Sequence, residues 1–135
     1  MIISEKLEEQ VILHCAIPYQ ELMQTLQASN LCVMPSLFEG FGRVPAEAMA
    51  LEIPVICSKV GGLTDLIENE VSGILVPSGD AKALAEAIAR LMKNPTLREQ
   101  LGKAGRKRIE TCFDVEIIAD RYVQFYKQVL ENKKK

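Results

Sequence analysis

The chain has 135 residues, which fits one compact domain and leaves no room for two. Hydrophobic residues make up 48% and charged residues 25%, enough for a core beneath a soluble surface, which excludes a largely disordered chain. A formal net charge of −2 excludes wholesale attraction to nucleic acid or to an anionic membrane.

Residues 11–15, from Val11 to the pair His14 and Cys15, read as a first strand. A helix over 21–28 follows, with Leu22, Met23 and Leu26 on one face. The apolar run 31–34 reads as a second strand, stopped by Pro35 and Ser36. Pro45 opens a helix over 46–51, in the first helical position that suits proline. Residues 53–57 form a third strand, after which Gly61 and Gly62 break the chain before a short helix over 63–67. Residues 73–76 form a fourth strand, ended by Pro77.

The remainder is helical. Asp80 caps a helix whose apolar face is Leu84, Ile88, Leu91 and Met92. Asn94 and Pro95 start the next, which carries Leu97 and Leu101. Asp114 caps the last, with Ile118, Tyr122, Phe125 and Val129 in one stripe that reads as core packing, or as a groove for a partner. Lys103, Arg106, Lys107 and Arg108 form a basic cluster, either a solvated helix face or a contact for anionic lipid or phosphate. The tail 132–135 is expected to be disordered.

Short apolar strands alternating with helices predict an α/β fold: a Rossmann-like parallel sheet of about four strands flanked by helices, in a single domain over 1–135. Ligands of such sheets lie outside the carboxyl ends of the strands, which places residues 35–42 in the ligand position. Cys15, Cys32, Cys57 and Cys112 form no CxxC pair and read as small buried hydrophobes. With no secretory signal and no membrane-length apolar run, they predict a reducing, cytoplasmic setting without an integral membrane segment. His14 stands alone, so neither a metal site nor chemistry at that residue is expected.

The segment 35–50 is the informative one. A strand end feeds a loop containing Gly40 and Gly42, which feeds directly into a helix. Residues without Cβ let the backbone approach a ligand, and the free N–H groups of a helix start suit a phosphate or pyrophosphate. Glu39 precedes that helix and Glu47 lies in its first turns. An ionised carboxylate only accepts, so each can take hydrogen bonds from adjacent hydroxyls, a sugar at one end and a ribose at the other. The plainer reading stands beside this one: glycines near helix starts are common, and the dipole alone favours glutamate in a first turn.

Glu39 and Glu47 have seven residues between them, inside PSLFEGFGRVPAEAMA. This resembles the Glu-x7-Glu signature of the retaining glycosyltransferases of family 4, which adopt the GT-B fold. The similarity runs in family order from residue 11 to about 126, through Val60, Gly61 and Gly62, the run 71–77, and the closing segment 121–126. The resemblance implies a donor-binding domain that takes a nucleotide-sugar, transfers the sugar with retention, and uses no metal or other cofactor. It implies that Glu39 lies against the donor sugar as the catalytic residue. Gly40, Phe41, Gly42 and Arg43 would then surround the sugar and diphosphate, and Glu47 would bind the ribose.

The same resemblance marks departures. Family members carry an Arg and a Lys that clamp the diphosphate on a segment absent here, and an acceptor-binding domain that the 135 residues do not include. By resemblance the strand order is 3-2-1-4-5-6, and this domain is partial, beginning near the third strand. Unpaired sheet edges then favour a homodimer or a strand swap. Cys15 and Glu52 stand where glycine is usual, and Asp65 where glutamate is common. The chain is expected to bind donor weakly and to be inactive alone. The alternative is a non-catalytic module that binds a nucleotide or a partner. A receiver domain shares the α/β pattern but needs an acidic cluster after its first strand, where this chain has His14, Cys15 and Ala16.

Overall fold

The computed structural model describes residues 7–133. Helix α1 (Tyr19–Gln27) leads to strand β1 (Cys32–Met34), and helix α2 (Arg43–Ala50) to strand β2 (Val55–Ser58). A single turn, α3 (Leu63–Leu66), precedes strand β3 (Ile74–Val76). Helices α4 (Ala81–Lys93) and α5 (Pro95–Arg108) follow, then a π-helical stretch Ile109–Phe113 and a final helix α6 (Val115–Asn132).

The three strands form one parallel sheet in the order β1-β2-β3. Its register sets Val33 against Ile56 and Ile56 against Ile74. All four residues of β2 are buried, because alternate side chains enter opposite layers. Val55 and Cys57 join Leu26, Ala48, Met49, Leu63 and Leu66 on the face covered by α1, α2 and α3. Ile56 joins Ile74, Val76, Leu91 and Leu101 on the face covered by α4 and α5. Burial pushes the Cys57 thiol up to about 12, with neighbouring Cys32 adding to the effect, so at neutral pH it is an inert apolar group.

The helix starts at Asp80, Asn94 and Asp114 are as expected: the side chains accept from the N–H groups of Ala83, Leu97 and Glu116. Glu52 takes the left-handed conformation at φ 60°, which accounts for the usual glycine at that place.

Four expectations are corrected. Residues 11–15 form no strand, so the sheet has three strands and not about four among the described residues. Ile12 and Leu13 lie open to solvent, as does Cys15. Apolar propensity supplies no ladder by itself, and in the resembled order this run does not neighbour β1. The cysteines do not share one setting: Cys57 is buried, Cys32 and Cys112 are half-buried and Cys15 is exposed. Pro45 is the third residue of α2, which begins at Arg43 with Gly42 as its cap. Proline is tolerated there because the first intrahelical bond is donated by Ala46, one residue later. Finally, the stripe on α6 is not core: no residue of that helix is buried, and Tyr122 and Phe125 are each 59% exposed. Helix α6 runs through Asn132, and residues 134 and 135 lie outside the described residues.

Candidate functional site

The loop between β1 and α2 leaves the carboxyl end of the sheet and turns back at Gly42, which sits at φ 91° and ψ 61°. That left-handed conformation suits glycine and directs the preceding N–H groups toward one point. The point is occupied by Glu39: its Oε1 accepts from the N–H of Phe41 at 3.3 Å and of Gly42 at 3.2 Å. A negative oxygen therefore sits on two converging backbone donors at the start of α2, where the helix dipole favours it.

Glu47 lies one turn and a half into α2 and faces inward. Its side chain is 16% exposed, and Oε1 lies 3.2 Å from Nε of the largely exposed Arg43. Its Oε2 is buried with no hydrogen-bond partner among the described residues. An unmatched carboxylate oxygen in a protein interior costs about 1–3 kcal/mol or more, so the position favours a hydroxyl donor arriving from outside.

The second glycine pair explains how the loop is held. Gly62 donates its N–H to the carbonyl oxygen of Glu39 at 3.2 Å. A methyl group on Gly61 would run into that carbonyl, and one on Gly62 into the carbonyl of Gly40. The turn after β2 thus lies directly against the loop after β1, a contact only bare backbone permits. The sequence marks both glycines as a break; their partner, 22 residues away, carries no local signal. Phe41 packs on Phe113 at a ring-centroid distance of 5.8 Å, another contact the sequence pattern does not reveal.

The structure therefore places Glu39, Gly40, Phe41, Gly42 and Arg43 on one continuous bend, with Glu47 on the helix it caps. The two carboxylates engage different groups: Glu39 the loop N–H groups, Glu47 the Arg43 guanidinium. A cavity of about 160 Å³ also opens at the carboxyl ends of the strands, lined by Pro35, Ser58, Pro77 and Asp80 among others. None of the six residues above lines it. Among the described residues, no group of three or more His, Cys, Asp or Glu comes together as a metal cluster would require. No described helix is long and apolar enough to cross a membrane.

Residues 1–108 match the family described as Glycosyl transferases group 1. The capsular polysaccharide biosynthesis glycosyltransferase CapM of Staphylococcus aureus is 43% identical over 102 residues, 76% of this chain and 27% of that protein. A D-inositol 3-phosphate glycosyltransferase of Saccharomonospora viridis is 33% identical, covering 82% of this chain and 26% of its own. The chain spans about a quarter of the length of these curated relatives. Among solved structures, the sucrose-phosphate synthase of Thermosynechococcus elongatus superposes with a TM-score of 0.86 at 40% identity. That match covers 97% of this chain and 33% of the synthase. Anabaena HepE in complex with UDP-glucose superposes at 0.85 with 26% identity, covering 94% and 35%.

Proposed function

The chain belongs to the group 1 glycosyltransferases, and we propose that it is the nucleotide-sugar-binding part of a retaining enzyme of that family, acting at the bend between β1 and α2. The observation that carries the proposal is the convergence of the Phe41 and Gly42 N–H groups on one negatively charged oxygen. Donors fixed in that geometry suit the oxygens of a leaving diphosphate, and they need no reorganisation as charge develops there. The complexes of HepE with UDP-glucose and with UDP lend support, since that protein shares the fold.

In this reading the diphosphate takes over the loop donors, and Glu39, displaced from them, hydrogen-bonds the sugar hydroxyls as the catalytic residue. Gly40 lets the sugar approach the backbone. Arg43, exposed at the rim, adds positive charge beside the diphosphate. Glu47 offers its unmatched oxygen to the ribose hydroxyls. The proposal invokes no metal ion: for donor binding, fixed N–H dipoles and one guanidinium supply part of the compensating charge. Sugar transfer, as distinct from donor binding, is proposed to need an acceptor domain together with cationic groups beyond those at this bend. The edge of β1, which has no strand beside it among the described residues, and the exposed face of α6 favour self-association of the isolated chain, to be read by sedimentation.

Ligand-observed NMR with UDP-, GDP- and ADP-sugars tests the reading. Saturation transferred to both ribose and sugar protons of at least one donor is expected. Absence of transfer to all three at millimolar concentration removes the proposal.

A further inference from the structure

We propose that Phe113 is a positioning residue for the donor loop, acting through the ring of Phe41; the inference rests on the donor-site reading above. Phe41 has its N–H on Glu39 and its ring against Phe113, 5.8 Å between centroids and tilted by 59°. Its side chain therefore transmits the position of Phe113 to the backbone donors beside it. Phe113 lies beyond residue 108, where the family match ends.

Phe113 is itself fixed from behind. The Arg108 guanidinium carbon lies 5.8 Å from the centroid of its ring. Arg108 donates through Nε to the carbonyl of Leu66 and through Nη2 to that of Asp65, both at 2.7 Å. Those carbonyls end α3, and the residue capping its start is Gly62, whose N–H holds the Glu39 carbonyl. The contacts close a ring: Glu39 and Phe41 on the loop, Phe113 and Arg108 beyond it, then α3 and back to Glu39. The π-helical stretch Ile109–Phe113 belongs to this arrangement, because a wider turn redirects the side chains that follow α5. From the other side, Arg121 of α6 donates to the carbonyl of Cys112 at 3.2 Å, which fixes the end of the stretch. The Phe113 ring and the Arg108 guanidinium beside it can be removed by side-chain substitution without touching the loop itself.

The test uses the 135-residue chain with UDP-glucose as probe, in wild type and in Phe113→Leu, Phe113→Tyr and Glu47→Gln. Three quantities are read: the dissociation constant, the melting temperature, and the aromatic carbon–proton resonances of Phe41. Phe113→Leu is expected to weaken binding about two- to tenfold, the range of an aromatic pair. It should move the Phe41 resonances and leave the melting temperature within a few degrees, while Phe113→Tyr restores affinity and resonances. Phe113→Met is read in the same way should leucine unfold the chain. Wild-type affinity or unmoved Phe41 resonances in Phe113→Leu overturn the inference while leaving the donor site intact. Wild-type affinity in Glu47→Gln instead removes the donor-site reading, and this inference with it.

Discussion

The carboxylate of Glu39 accepts the N–H of Gly42 at 3.2 Å, closing an acid over the start of α2. In the proposed site the acid is a local substitute for an external anion and competes with it for the same donors. Truncation to alanine removes the competitor and also the proposed sugar contact. The sugar contact is expected to dominate, so that Glu39→Ala weakens donor binding about ten- to 150-fold, the worth of hydrogen bonds to a charged group. Isothermal titration with the preferred nucleotide-sugar measures it. Affinity equal to or above wild type would show that the sugar contact does not outweigh the loss of the competing carboxylate.

Glu47 separates function from stability. Among the described residues its buried Oε2 has no partner and its Oε1 meets Arg43, at the surface. An apolar side chain of similar length removes the unmatched oxygen and keeps the packing. Glu47→Met is therefore expected to hold or raise the melting temperature while donor affinity falls about tenfold or more. A marked fall in melting temperature would show that the carboxylate is a structural group.

The approach of Gly61 to the loop is testable through one methyl. In Gly61→Ala the added Cβ meets the carbonyl oxygen of Glu39, a backbone atom that cannot swing aside, and the residue sits at φ 45°. A cost of about 1–3 kcal/mol is expected from overpacking and backbone strain. Thermal unfolding reads the cost, and the amide shifts of residues 39–42 read the displacement. A stable variant with an unmoved loop would mean that the turn is not held by this contact.

How much of this was legible in the sequence follows from where each signal is stored. The α/β class, the caps at Asp80, Asn94 and Asp114, and the bend from Pro35 to Gly42 are written in local patterns: apolar runs, polar caps, glycines before a helix. The failures are tertiary. Residues 11–15 have the composition of a strand but, among the described residues, no neighbour to complete a ladder, so they lie open. The α6 stripe has helical spacing, and spacing reports amphipathicity without naming what covers the apolar side. Within the site, the order of Glu39, Gly42 and Glu47 was readable. That Gly61 and Gly62 back onto the loop, and Phe113 onto Phe41, required the fold.

One pH effect lies away from the site. Arg90 donates through both terminal nitrogens to Glu70, at 2.8 and 2.7 Å, and holds its carboxyl below the usual value of 4.5, chiefly by hydrogen bonding and then by charge. A depressed folded-state value contributes stability above the unfolded value, and that contribution is lost as pH falls through the folded one. Both side chains are nearly half exposed, so the effect is small. Melting curves of wild type and Arg90→Ala should differ slightly at neutral pH and converge in acid below the carboxylate range. A gap that widens in acid would contradict the pairing.

In the proposed site the Phe41 and Gly42 N–H groups receive the diphosphate of a nucleotide-sugar. The most direct measurement is a titration of the ¹⁵N-labelled chain with UDP-glucose, followed on individual backbone amides and repeated with GDP- and ADP-sugars. Saturable shifts largest at Phe41 and Gly42 are expected for at least one donor, reversed by excess inorganic pyrophosphate. Shifts confined to the cavity around Ser58 and Asp80, or none at the bend with every donor, would contradict that placement.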